Sequence, residues 1–599
     1  MTPEPKDKLD ATTLFGANGP EDDILTWDAV GWRACERQVR CLRQRIFTAS
    51  QAGDLKRVRN LQKLMLRSRA NTLVSVRRVT ERNAGRLTAG MDGEVVLTPK
   101  AKMDLVERVQ YSSEPFRASP VKRVYIPKQG RGGKQRPLGI PVILDRVQQA
   151  RVVGALEPEW EARFEPKSYG FRPGRGCQDA IEAIHTTANG KSPQRQWVLD
   201  ADLAAAFDRI DHSYILRQLG SFPARGLVKQ WLKAGVVEDG RFAPTEEGVP
   251  QGGVISPVLL NVALHGMEQA AGVRYNTTTG SNAGWTLADS PVLIRYADDL
   301  IALCHTRDEA LKVKARLAEW LTPRGLVFNE DKTRIVTLDE GFDFLGFTVR
   351  RYHSKLLIKP SKAAIRRVRE RLRTEMRSLR GTNASAVLQR LSPIIRGWSA
   401  YYRGVASSEV FTTLDHYAWK LTWKWAVHTH ANKPKRWVAN QYFGMFNKSR
   451  RDRWEFGDRA SGAYLYKFAW TRIIRHPLVK SAASPDDPAL TKYWADRRRK
   501  TPPPTTGRTR WGLYKAQDGR CPLCEDWLLP TEDPPSTPRE WEQWQATTRK
   551  TITEVAIRED DTSEEPKPRL IHTHCHHQHT TGDDNGPALL PAREPPGLA

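Results

Sequence analysis

Four aspartates in two apolar stretches are the first residues of this chain that could do chemistry. The segment VLIRYADDLIALC sets Asp298 and Asp299 side by side among β-branched and aliphatic residues. Upstream, WVLDADLAAAFDRID carries Asp200 and Asp202 in similar company. Burying an unpaired carboxylate is expensive, and like charges in contact raise one another's pKa. The composition still suits a sheet interior, so the acids need a partner that the sequence lacks. A divalent ion is the simplest, because hard oxygen ligands suit Mg2+ and its charge reverses the local penalty. Asp200 and Asp202 share parity along a strand, so both project to one face, where one can meet the Asp298–Asp299 pair across a sheet. Three carboxylates holding two Mg2+ ions are what nucleotidyl transfer needs. One ion activates the attacking 3′-hydroxyl and the other steadies the leaving pyrophosphate.

Two loops fit phosphate handling. In VYIPKQGRGGKQRPLGIP a Gly-rich loop joins two short strands, with Lys128, Arg131, Lys134 and Arg136 nearby. Such a hairpin lays cations and backbone N–H groups on a triphosphate. Arg136, set before the rigid PLGIP strand, is the strongest candidate, and Lys128 is taken with it. PQGGVISP reads as a tight turn at Gly252 and Gly253, then a helix with Ser256 as N-cap and Pro257 at its first position. Near the C-terminus, CPLC and LIHTHCHHQHT offer Cys521, Cys524, His572 and Cys575. A CxxC knuckle with a distant HxxC has zinc-ligand spacing, and thiolates with an imidazole close a tetrahedral site.

The elements that must position these groups follow from pattern and composition. At 599 residues the chain holds several domains, and 95 Lys plus Arg against 68 Asp plus Glu give a formal charge of +27. A surplus of that size points to a polyanion, most often nucleic acid. Residues from Trp27 to about Thr80 read as helices, with Val39, Leu42, Ile46, Leu61, Leu64 and Leu73 at three- and four-residue spacings between arginines. Strands are expected at 121–141, 197–211 and 292–304. Beyond Lys359, Ile365, Val368, Leu372, Met376 and Leu379 form an apolar stripe backed by arginines, and a Trp- and Tyr-rich helical stretch follows at 393–430. Linkers are expected near 481–489 and 501–508. No apolar run is long enough to span a bilayer, and seven scattered cysteines fit a reducing cytoplasm rather than a disulfide framework.

YADD, DLAAAFD, GVPQGGVISPVLLNVALHG and FDFLGF together resemble the reverse transcriptases encoded by group II introns. The likeness is greatest to the bacterial, chloroplast-like class that also act as splicing maturases. WDAVGWRACERQVRCLRQRIFTA resembles that family's N-terminal extension and SYGFRPGRGCQDAI a fingers motif. IRGWSAYYRGVASSEVFTTLDHYAWKLTWKWA and NKPKRWVANQYF resemble its maturase segment. The resemblance implies an α+β right-hand polymerase with a helical thumb and a small C-terminal zinc-knuckle domain. Its expected parts are a disordered start (1–20), a helical RNA-binding extension (21–105) and fingers and palm (106–358). A thumb or maturase domain (359–430), a DNA-binding segment and linker (431–507), an HNH-like domain (508–582) and a flexible tail (583–599) complete the chain.

The family's pattern makes Asp202 and Asp298 the main Mg2+ ligands, with Asp299 weaker and Asp200 a supporting neighbour. Phe207 becomes the ring that excludes a 2′-hydroxyl, Gln251 a neighbour of the incoming nucleotide, and Lys332 a proton donor to pyrophosphate. The implied partners are intron RNA, target DNA and dNTPs, and a dimer is compatible with the reading. The implied activity is RNA-directed DNA polymerisation with help to splicing and mobility. Two rivals are an RNA-binding maturase without polymerase activity and a host-retained defence reverse transcriptase. The C-terminal module departs from the family. In TEVAIREDDTSEEPKPRLIHTHCHH, Ala556 and Ile557 stand where an HNH nuclease has its Asp-His step, and the Gly turn and Asn are missing, although His576 stands at the closing metal position. The expected result is a zinc-folded domain without endonuclease activity.

Overall fold

A helix in a globular protein needs an apolar stripe to bury, and the N-terminal text supplies one repeatedly. The computed structural model describes residues 26–127, 135–190, 193–276, 284–500, 508–525, 527–529, 535–557, 567–576 and 589–590. The expected disordered start, Lys128, Arg131, Lys134, most of the C-terminal tail and the linker at 501–507 lie outside them. Two compact units emerge: Met1–Pro173 with Arg195–Ile335 and Lys480–Thr491, and Gly174–Gln194 with Val336–Val479 and Lys492–Ala599.

In the first unit, helices Trp32–Gln51, Leu55–Arg67 and Arg69–Arg77 pack on Ile143–Glu161. Val39, Leu42, Ile46 and Leu61 enter one core with Val152, Leu156 and Trp160, as the spacing predicts. Asp54 separates the first two helices by capping the second, its carboxylate accepting from Arg57 N at 2.9 Å. The Val121–Pro127 and Gln135–Ile140 strands form an antiparallel hairpin, Pro127 opposite Gln135. A second sheet sets Val292–Tyr296 beside Asp299–Cys304 and that strand beside Trp197–Asp202. Helices Ser256–Ala263 and Arg307–Leu321 cover it through Leu259, Val262, Val313 and Leu317.

One expectation fails on the helix after the PQGG turn. It starts at Ser256, with Ile255 as the N-cap and Pro257 second. The Ser256 hydroxyl donates to Pro250 O at 2.8 Å and so closes the turn instead of capping the helix. The 481–489 stretch, linker-like in composition, is also packed. Ser484 and Asp486 are buried, and Arg43 grips the Asp486 carboxylate at 2.8 and 2.7 Å.

In the second unit a three-stranded sheet, Phe342–Phe344, Phe347–Tyr352 and Lys355–Pro360, leads into helices Lys362–Ser378, Ala384–Tyr402 and Ser408–Thr429. The stripe facing inward from the first of these is Ala364, Val368, Leu372 and Met376, a strict four-residue spacing, with Ile365 half-buried. The helix Pro538–Thr551 packs along Ala384–Tyr402 and runs into the hairpin Ile552–Ile557/Lys567–His572. Arg371 holds its Glu542 by a forked pair at 2.6 and 2.8 Å. Among the described residues no helix is long and apolar enough to cross a membrane, and all seven cysteines are free.

Candidate active site and metal centre

The acid cluster is built by register and by one turn. Trp197–Asp202 runs antiparallel to Asp299–Cys304 with Asp202 directly opposite Asp299. On the other side Tyr296 pairs with Asp299, which leaves Ala297 and Asp298 as a two-residue hairpin turn. Ala297 has φ +58°, the left-handed backbone that so short a turn requires. Neighbouring aspartates therefore do not point to opposite faces of one strand. Asp298 sits in the turn, and Asp299 heads the returning strand and faces Asp202.

The electrostatics match this crowding. Burial raises the Asp298 carboxyl first, and the Asp202 charge raises it further, while Arg136 and Lys332 act against both. Asp299 is pushed up by burial and then by the charges of Asp298 and Asp202. Lys332 Nζ lies 2.5 Å from Asp202 Oδ2, a bond that holds the ammonium above its ordinary range. Asp200, two residues earlier, meets Arg334 at 3.3 Å. The donor set, three carboxylates converging at one sheet end beside a hairpin turn, fits hard divalent ions.

A buried network fixes the turn. Arg295, 2% exposed, donates from Nη1 to Ala297 O at 3.1 Å and Asn261 Oδ1 at 3.0 Å, and from Nη2 to Ser168 Oγ at 2.6 Å. Asn261 donates in turn to Gly170 O at 2.9 Å. A Cβ on Gly170 would lie 2.3 Å from Ala297 N, so only glycine permits this approach. None of these residues stands out as functional in the sequence. The available signal was an arginine inside an otherwise apolar strand, which must find acceptors when buried.

The nucleotide-handling candidates collect nearby. Phe207 follows Ala205, itself at φ +49°, and its carbonyl accepts from Val249 N at 2.5 Å. Its ring meets Phe171 edge-on, centroids 6.2 Å apart. Gln251 donates to Asp208 Oδ2 at 3.5 Å and accepts from Gly139 N at 2.6 Å, which ties the PQGG turn to the hairpin carrying Arg136. Arg136 is exposed and opposite Ile126, and Lys128 lies outside the described residues.

A second cluster stands in the C-terminal module. One ligand atom from each of Cys521, Cys524, His572 and Cys575 lies within 4.8 Å of the others. His572 Nδ1 is 3.3 Å from Cys524 Sγ and 3.9 Å from Cys575 Sγ, while its Nε2 sits 3.2 Å from Trp527 O. A ring N–H donated to that carbonyl leaves Nδ1 free to ligate, the outer-shell arrangement typical of metal-bound histidine. Three thiols and one imidazole suit zinc. His576 lies in the helical turn just after this set.

Comparison with known proteins finds three families along the chain. Residues 27–109 match the N-terminal domain of reverse transcriptase, 126–349 the reverse transcriptase (RNA-dependent DNA polymerase) family, and 365–443 the group II intron maturase-specific domain. The chain is 31% identical to protein YkfC of Escherichia coli over 345 residues, 52% of this chain and 89% of that protein. It is 36% identical to the group II intron-encoded protein LtrA of Lactococcus lactis subsp. cremoris over 154 residues, a quarter of each chain. Maturase-like protein 1 of Euglena gracilis is 24% identical over 62% of this chain and 76% of its own. The polymerase match contains the whole acid cluster, and the maturase match covers the helices Ala384–Tyr402 and Ser408–Thr429 of the second unit. The chain belongs to the reverse transcriptase–maturase family of group II introns.

Proposed function

We propose that this chain copies RNA into DNA at the Asp202–Asp298–Asp299 cluster and uses its basic surfaces to hold intron RNA and target DNA during splicing and mobility. The observation that carries the reading is the register: Asp202 opposite Asp299, with Asp298 in the adjoining turn. Those three carboxylates would hold two Mg2+ ions. Such ions, when bound, ease loss of the 3′-hydroxyl proton and offset charge on the transferring phosphate. The protein supplies the rest. The Arg295 network keeps Asp298 and Asp299 in place against their mutual repulsion. Arg136, with Lys128, pairs with triphosphate oxygens, and Gln251 borders the base and primer end. Phe207 closes the space that a 2′-hydroxyl would need. Lys332, whose bond to Asp202 keeps it protonated, gives its proton to departing pyrophosphate.

The extension 21–105, thumb 359–430 and segment 431–507 are assigned to nucleic-acid binding, supported by the net charge of +27. The 508–582 module is assigned as a zinc-folded, HNH-like DNA-binding domain that has lost cleavage, in a protein of the bacterial cytoplasm. The test is primer extension on an RNA template with Mg2+. Asp298→Ala and Asp202→Ala should abolish it while intron RNA binding persists, because that binding rests on remote cations. Extension at the parent rate by Asp298→Ala would overturn the assignment.

A further inference from the structure

Phe171 is an aromatic residue that the proposed chemistry leaves unused. The residue is 46% exposed, and its backbone lies at φ +58°. A non-glycine residue there is strained, and a ring this exposed offsets little of that strain by burial. Both neighbours are firmly held. On one side Gly170 presses on Ala297 of the metal-binding turn and accepts from Asn261. On the other, Arg172 is buried, its guanidinium forked onto Glu161 at 2.9 Å and bonded to Ser168 O at 2.9 Å. Two buried anchors thus mount one exposed ring, and that ring meets the edge of Phe207 with planes at 75°.

We infer that Phe171 is a positioning residue for sugar selection: it fixes the Phe207 ring relative to the Asp298 turn, so that the space at the 2′ position stays closed. The inference rests on the reading of Phe207 as the sugar-excluding ring. Without Phe171 the Phe207 ring can tilt into the vacated volume. A ribonucleotide then fits, while the acids and their turn stay in place. Loss of one steric contact of this kind corresponds to roughly a tenfold change in discrimination.

The experiment is steady-state primer extension with dNTPs and NTPs on the full chain, comparing kcat and KM for Phe171→Ala, Phe171→Gly, Phe171→Tyr, Phe207→Ala and the double variant. Phe171→Ala should lower the dNTP-over-NTP ratio of kcat/KM about tenfold while kcat for dNTPs stays within about twofold. Phe171→Tyr should keep the parent ratio. The double variant should be no less selective than Phe207→Ala alone, since both act on one space. Phe171→Gly suits the left-handed backbone and carries the test if the alanine variant fails to fold. An unchanged ratio in Phe171→Ala or Phe171→Gly, with Phe207→Ala relaxed, overturns the inference and leaves Phe207 standing. An unchanged ratio in Phe207→Ala removes the reading of Phe207 itself. Equal losses with both sugars would make Phe171 a structural support only, which also overturns the inference.

Discussion

Replacing Arg295 by methionine separates the cost of the buried charge network from the geometry it imposes. Arg295 is 2% exposed, and it makes three hydrogen bonds, to Ala297 O, Asn261 Oδ1 and Ser168 Oγ. Burial lowers its pKa to about 10, so it remains charged at neutral pH. It also serves two buried acids. Burial would raise Glu165, but the His265 hydrogen bond and the Arg295 charge hold it near 2, whereas burial and the Glu165 charge push Glu268 to about 7. Methionine fills most of the volume yet leaves all three acceptors without their donor and removes the charge that faces Glu165. Leaving buried acceptors unsatisfied in this way costs about 1–3 kcal/mol. The Ala297 turn loses its side-chain anchor as well. A displacement of about 1 Å at reacting groups costs about 10²-fold in rate. Denaturant unfolding should therefore show the first unit weakened by that amount. Primer extension, measured well below the unfolding transition, should lose about two orders of magnitude in kcat. Arg295→Lys keeps the charge near Glu165 but cannot reach three acceptors with one ammonium. It should recover much of the stability and little of the rate. Parent kcat in a folded Arg295→Met protein would refute the claim that this network holds the catalytic turn.

Three further outcomes concern the second unit. Gly397→Ala places a Cβ 2.3 Å from Glu542 Cγ and 2.7 Å from Pro538 O, so the helix 538–551 should loosen at a cost of about 1–3 kcal/mol, read as faster amide exchange there. Purified protein should hold about one zinc per chain, and chelation should unfold the 552–572 hairpin while primer extension continues. The intact protein should not nick its DNA target, and nicking that vanishes in His576→Ala would show that cleavage was retained.

How much of this was legible beforehand depends on the range of each interaction. The acid cluster was legible because charge interrupts an apolar strand pattern, and the gathering of Cys521, Cys524, His572 and Cys575 because CxxC and HxxC spacings are local. So was the meeting of Asp202 with the Asp298–Asp299 pair across the sheet. The placing of Asp298 in a turn was not, since it depends on the left-handed backbone of Ala297, where alanine carries no turn signal. The Arg295 network joins Ser168, Asn261 and Ala297 from three separate segments, and no periodicity links them. Composition misleads at 481–489. Serine, proline and aspartate read as linker, yet Asp486 is bound by Arg43, 443 positions away.

Strain shows where these separate interactions converge. Eight non-glycine residues among those described have positive φ, and three of them are Phe171, Ala205 and Ala297. Ala297 shapes the turn that presents Asp298, Ala205 precedes Phe207 by two positions, and Phe171 bridges the two through Gly170 and its own ring. Each such backbone costs on the order of 1–3 kcal/mol and persists only where its surroundings over-determine it. Here the surroundings are identifiable: Arg295 holds Ala297 O, Val249 N holds Phe207 O, and the Arg172 fork anchors the residue after Phe171. The hairpin needs the Ala297 conformation, but the sheet could close without the other two. In the proposed function, what they set is the distance between an aromatic ring and three carboxylates, a quantity that would matter to a bound nucleotide more than to the core.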